Sequence, residues 1–289
     1  MYKLAFRLTD ILDPEERLEE AALFKAISDH YGRDAVLAFR GDECPDPDLP
    51  VFGRNMPAYV RNSNPVPPRL DYWDDAAFLS YVRREFYAVP FDQAEAVVND
   101  MLARGKEVFV KSARQKHFKM VVRQGENFCE KIGDMAYSFI DDGPLMLAQE
   151  FAHVEYEHRF FVIDRNVVTH SPNMSDLTPI DHPLPFGTVY RTPASAAPEV
   201  NTFVVSELER LAMSVAEEMD YPHACVDVAF INGNPGVVEF NPMQLGHLGL
   251  FACDVRALAR ASETLVENYC PLPSYPCPSP SDETAFLDI

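Results

Sequence analysis

Apolar and polar positions along the chain fall into stretches of period two and stretches of helical period, and their order predicts three regions. The first opens with a polar helix over Pro14 to His30, followed by short apolar runs at Ala35 to Phe39 and Pro50 to Phe52. This is the pattern of a small α/β lobe, taken to reach residue 85. Pro45, Pro47, Pro50, Pro57, Pro65, Pro67 and Pro68 punctuate a loop-rich stretch that leads to Trp73, the only tryptophan.

The second region, 86–150, predicts a helix at Asp92 to Arg104, strands at Glu107 to Lys111 and Phe118 to Arg123, a helix at Asn127 to Phe139 and a strand at Leu145 to Phe151. The third, 151–270, predicts strands at Arg159 to Ile163 and Val167 to His170 and a long helix at Glu199 to Met219. Strands at Ala224 to Ile231 and Gly236 to Phe240 follow, then a last helix from Asp254 to Asn268. Beyond it, residues 271–289 begin with five prolines in ten residues and read as an extended tail. There is no internal repeat.

The sharpest pattern is CVDVAFINGNPGVVEFNP, residues 225–242. Two apolar runs flank a turn-rich Asn232-Gly233-Asn234-Pro235-Gly236, the mark of an antiparallel hairpin. Period-two counting sets Val226, Val228 and Phe230 on one face with Val238 and Phe240, and Asp227 on the other with Glu239 and Asn241. For a turn centred near Gly233, Asp227 and Glu239 are opposite each other, with Cβ atoms about 5 Å apart. Two facing carboxylates repel unless one is protonated or a cation lies between them. With an amide oxygen they make a hard donor set suited to magnesium. The alternative is a solvated hairpin face with incidental acids.

Charge changes the picture next. The formal net charge is −20, which opposes a phosphate backbone and argues against nucleic acid as a partner. Yet of seven lysines, Lys106, Lys111, Lys116 and Lys119 fall within fourteen residues, beside Arg104, Arg114 and Arg123, and none follows Lys131. Such an island is either a solvated run or a seat for a small polyanion. Lys111 ends one predicted strand and Lys119 begins the next, so both flank a turn able to fold over phosphates.

Residues 145–163, LMLAQEFAHVEYEHRFFVI, run from an apolar strand into Gln149-Glu150-Phe151, then through Glu155, Glu157 and Arg159 into another strand. Backbone groups in such a connection suit an adenine edge, and a carboxylate suits ribose hydroxyls. The two acids read equally well as solvated loop residues, and Arg159 reads as a phosphate or substrate contact. His170 and Arg191 mark a candidate acceptor pocket. HVEYEH lacks the helical spacing of a zinc motif, and neither a P-loop nor a G-x-G-x-x-G is present. The six cysteines form no C-x-x-C pair, and Cys225 reads as core, so reduced thiols are expected. No apolar run is long enough to span a bilayer and no signal-peptide pattern opens the chain, so a cytoplasmic protein without membrane contact is expected.

In order, these stretches resemble the ATP-grasp superfamily, closest to its small divergent bacterial and phage ligase-like members, over roughly residues 90–268. The resemblance implies an α/β (α+β) fold with an N-terminal lobe (1–85), a lid subdomain (86–150) and a C-terminal antiparallel-sheet domain (151–270) that holds metal and nucleotide. It implies Lys111 as a phosphate contact and catalytic residue, Lys119 as a second basic contact, and Gln149, Glu150 and Phe151 around adenine. Glu155 or Glu157 would hold ribose. Glu157-His158-Arg159 matches the family's E-x-R or D-x-R pattern, with Arg159 catalytic, and Asp227, Glu239 and Asn241 match its magnesium ligands. The lid departs from the family in having no glycine from Ser112 to Phe118. The implied activity is ATP-dependent joining of a small-molecule or peptide carboxylate to an amine through an acyl phosphate. On that reading Asp227→Asn or Glu239→Gln removes turnover and leaves the fold intact. The alternatives are an ATP-binding assembly chaperone with a protein partner and no ligase activity, or phosphoryl transfer to a small molecule.

Overall fold

A computed structural model describes residues 1–8, 14–41, 44–46, 48–53, 72–113, 119–136, 145–172, 202–219, 223–242 and 253–267. Arg114, Lys116, Arg191 and the proline-rich tail lie outside the described residues. The chain forms two compact units.

The first unit gathers the described residues up to Gly53 and the last helix. Strands β1 (Leu4–Arg7), β2 (Val36–Phe39) and β3 (Val51–Gly53) form a parallel sheet in the order β2-β1-β3. Leu4, Ala5 and Phe6 are fully buried in succession, as a central parallel strand covered on both faces requires. Helix α1 (Pro14–Tyr31) supplies Leu23, Ala26 and Ile27 to this core at helical spacing. At Gly53 φ is +137°, and a Cβ there would lie 2.4 Å from the Arg7 carbonyl oxygen, so only glycine lets β3 approach β1 this closely.

The second unit holds the described residues from Tyr72 to Asn241. After a one-turn segment at Tyr72–Asp74 come α2 (Ala76–Tyr81), β4 (Phe86–Pro90), α3 (Phe91–Ala103), β5 (Val108–Ser112), β6 (Lys119–Val122), α4 (Phe128–Ala136) and β7 (Leu145–Glu150). Their strands make an antiparallel sheet in the order β4-β7-β5-β6. Ala94, Val98 and Met101, on one stripe of α3, close over Val108, Val110, Met146 and Ala148. Next come β8 (Val154–Ile163), β9 (Asn166–Pro172), α5 (Thr202–Glu218), β10 (Ala224–Ile231) and β11 (Asn234–Pro242), with sheet order β11-β10-β8-β9. Leu208, Ala212 and Val215 of α5 pack on Phe160, Val162, Val226 and Val228, which leaves the other face of that sheet for polar groups.

Helix α6 (Val255–Glu267) is where the sequence puts it, but it packs on α1 rather than with the strands before it, so the stretch 151–270 does not stay in one unit. Its small inner face, Leu258, Ala259 and Ser262, allows close approach, and Tyr31 Oη lies 3.0 Å from Ser262 Oγ. No helix among the described residues is long and apolar enough to cross a membrane. Cys44, Cys129, Cys225 and Cys253 are free thiols, with Cys225 buried as expected.

Candidate active site

The polar face of the β11-β10-β8-β9 sheet is shaped by two breaks in strand alternation. The β10–β11 turn has only two residues, Asn232 (φ +50°) and Gly233 (φ +78°), the left-handed pair that suits a tight hairpin. An unbroken ladder from that turn would set Asp227 opposite Val238, not Glu239 as the sequence count had it. Strand β11 instead breaks step. Val237 and Phe240 both join Val226 and Val228 in the core, while Val238 joins Ala229 and Ile231 on the other side. The shift brings Glu239 to the face of Asp227, where both carboxylates act on the Tyr72 phenol and on Glu157. The expected face for Val238 is thereby corrected, and the pairing of the two acids is made by a bulge rather than by register.

Strand β8 carries the second break. Between the pairs His158↔Val228 and Glu155↔Phe230, two β8 residues, Tyr156 and Glu157, face the single Ala229. Tyr156 has φ +58°, an uncommon conformation for a bulky residue and the local strain of this bulge. Strict alternation would have kept Glu155, Glu157 and Arg159 together. The bulge keeps Glu157 buried beside Asp227 and turns Glu155 out to solvent next to His153, so of the two candidate acids only Glu157 joins the site.

The registered neighbour of Asp227 across β10 and β8 is Arg159. The guanidinium grips the carboxylate with two hydrogen bonds, Nε to Oδ1 and Nη2 to Oδ2, each 2.8 Å. Burial works against the Arg159 charge, but Asp227 outweighs it and holds the proton more firmly than water does. Lys111 reaches over from β5 and donates to Glu239 Oε1 at 2.8 Å. Tyr72, from the one-turn segment before α2, also donates to Glu239; burial and that carboxylate hold its phenol well above its usual pKa. Lys119 stands directly across from Lys111 on β6, exposed. Two like charges at paired positions repel, which favours an anion between them.

Burial, then the nearby Asp227 and Glu239, raise Glu157 to about 8 against the pull of Arg159 and Arg84. The sign follows. Folded protein keeps this proton between about pH 4.5 and 8 while unfolded chain loses it, so stability falls as pH rises through that window. Glu157→Gln is expected to flatten the fall and to gain stability near pH 8, on the order of a few kcal/mol, with little change at pH 4. Urea unfolding of both proteins across this range checks it; equal slopes would reject the buried, proton-holding Glu157.

Gln149 and Glu150 belong to β7 itself, and the end of that strand is less open than the sequence implied. The Gln149 amide oxygen is taken by Arg84, and Glu150 Oε2 accepts from Lys106 Nζ (3.0 Å) and the Glu85 amide (3.2 Å). Phe151 lies under the Arg123 guanidinium and donates its amide to the Glu107 carbonyl. Asn241 belongs to β11, and its side chain lies outside the described residues. His170 does not face the carboxylates: it stacks against Phe160 on the side covered by α5.

Two residues of the site were not found from sequence. Tyr72 was hidden in the proline-punctuated stretch. Arg84, between α2 and β4, donates twice to Gln149 Oε1 (Nε 3.1 Å, Nη2 2.7 Å), once to the Val82 carbonyl (3.0 Å) and once each to the carbonyls of Val237 (2.7 Å) and Val238 (2.8 Å). Burial lowers it to about 10, while Tyr72, Glu157, Glu239 and Glu150 favour its charge. The only sequence signal was an arginine pair before an apolar strand in an acidic chain.

Among the described residues no three His, Cys, Asp or Glu side chains are grouped to hold a metal by themselves. The Asp227 and Glu239 carboxylates on one face fit magnesium, which uses one or two carboxylates and takes its other ligands from phosphate and water.

No family model matches the sequence, and no curated protein matches it. Solved structures do match. D-cycloserine synthetase DcsG is 19% identical, with 91% of this chain and 99% of that one covered and a TM-score of 0.57. D-alanine–D-alanine ligase from Bacillus anthracis, solved with ATP, is 10% identical over 91% of this chain and 96% of its own, with a TM-score of 0.53. The ATP-grasp ligase PsnB with its minimal precursor is 13% identical over 91% and 99%, also at 0.53.

Proposed function

This chain has the ATP-grasp fold, and from that premise we propose that it is an ATP-dependent carboxylate–amine ligase working through an acyl phosphate. The observation that carries the reading is the set of groups on one sheet face: Asp227 held by Arg159, Glu239 held by Lys111, and Lys119 across from Lys111. Lys111 and Lys119 are the cations a triphosphate would recruit, and Glu239, once released by Lys111, joins Asp227 as the pair of acids a magnesium ion needs. The ATP in the Bacillus anthracis ligase and the ligase names of similar structures support the same reading.

On this proposal Asp227, Glu239 and Asn241 hold magnesium, which supplies charge neutralisation at the phosphates. Lys111 moves its ammonium from Glu239 to the phosphates, and Lys119 adds a second positive charge from β6. Arg159 holds Asp227 oriented through its two hydrogen bonds. Gln149 and Glu150 at the end of β7, with Phe151 after it, face adenine, and Glu157 is the acid near ribose. A substrate carboxylate oxygen bonds to the γ phosphorus as the β–γ P–O bond breaks and ADP leaves. The amine nitrogen then bonds to the acyl carbon, the C–O bond to phosphate breaks, and the nitrogen gives its proton to solvent. Such chemistry runs on positioning and electrostatics and needs no protein nucleophile.

The test is a screen of pooled amino acids, peptides and small acids for ADP release, with product masses read alongside. ADP and an amide product are expected only when a carboxylate and an amine are both present. Tight ATP binding with no product from any pool would count against a ligase and for an ATP-binding assembly chaperone. A phosphorylated acceptor stable without amine would point to simple phosphoryl transfer.

A further inference from the structure

Arg84 touches both halves of the site, at Gln149 of the group proposed around adenine and at the two residues before Glu239. Gln149 immediately precedes Glu150 and Phe151, and Val238 immediately precedes Glu239. One planar guanidinium bonds the Gln149 amide on β7 and the Val237 and Val238 carbonyls on β11. In a regular strand consecutive carbonyls point to opposite edges; here two in a row point to the same donor, at the place where β11 loses its alternation. Arg84 therefore satisfies the bulge that delivers Glu239 to the face of Asp227. A lysine has three donors on one atom and cannot spread them over three acceptors this way.

We propose that Arg84 is a positioning residue, which sets the spacing between the connection that receives adenine and the strand that receives the metal-bound phosphates. This rests on reading the face as an ATP site. ATP spans both halves, so its affinity exceeds that of its parts only while the halves stand the right distance apart. Each part alone is indifferent to that distance.

The experiment compares wild type, Arg84→Lys and Gln149→Met by titration calorimetry with three ligands: magnesium ATP, adenosine, and magnesium tripolyphosphate. Melting curves accompany each protein. Gln149→Met removes one acceptor of the clamp and leaves Arg84 its three carbonyl partners. ATP is expected to bind about tenfold or more weakly in both variants, while in Arg84→Lys both fragments, and in Gln149→Met the tripolyphosphate, stay within about twofold of wild type. ATP affinity within about twofold of wild type in folded Arg84→Lys would overturn the proposal. So would parallel weakening of all three ligands, or loss of folding in both variants, since each marks plain support of the fold. Failure of wild type itself to bind ATP would sink the nucleotide reading, and is seen before any variant is compared.

Discussion

Glu239→Gln is expected to cut acceptor-dependent ADP release by about a thousandfold or more while the melting temperature stays near that of wild type. The amide keeps the shape and one acceptor oxygen for Lys111 and Tyr72, but it cannot offer a metal the charge that a carboxylate does. A loss of several kcal/mol in transition-state stabilisation corresponds to that rate factor. Asp227→Asn is expected to be as inactive and also less stable. Asp227 is 1% exposed and its partner Arg159 11%, against 16% and 18% for Lys111 and Glu239, so only Asp227→Asn strands a charge away from water. The sequence treated the two acids as equivalent; their burial separates them. Steady-state kinetics with melting curves on both variants is the measurement, and full turnover in Glu239→Gln would remove the metal assignment.

Such distinctions turn on features that period counting does not carry. Strand β10 matches its sequence limits at both ends, Ala224 and Ile231, because alternation and an Asn-Gly turn are local signals. Lys111, Asp227, Arg159 and Glu239, which the structure brings together, stood out in the sequence for the same reason: each is a charge set in or beside an apolar strand. Counting by twos assumes that no residue is inserted, and this site is built on two insertions. Tyr156 and Glu157 share one partner on β10, which sends Glu155 outward; the break at Val238 brings Glu239 into line. Strand β4 and Arg84 were missed because their partners lie on β7 and β11, and helix α2 because it leans on α5, all far along the chain. Long-range partners leave no mark within a window of a dozen residues.

The same burial makes a second large effect, on folding instead of turnover. Arg159→Met is expected to cost about 3–5 kcal/mol, because it leaves the Asp227 carboxylate enclosed with Glu157 and Glu239 nearby and no guanidinium to answer it. Joining it to Asp227→Leu should restore most of that stability, since an apolar pair of similar volume between Val226 and Val228 has nothing to desolvate. Urea unfolding of wild type, both single variants and the double variant closes the cycle. A double variant that folds well and never turns over would show that the pair is kept for chemistry and that the sheet stands without it. If Arg159→Met alone cost under about 1 kcal/mol, as exposed pairs do, water would have to reach Asp227 freely, and the dry, preorganised face on which the proposed catalysis depends would be lost.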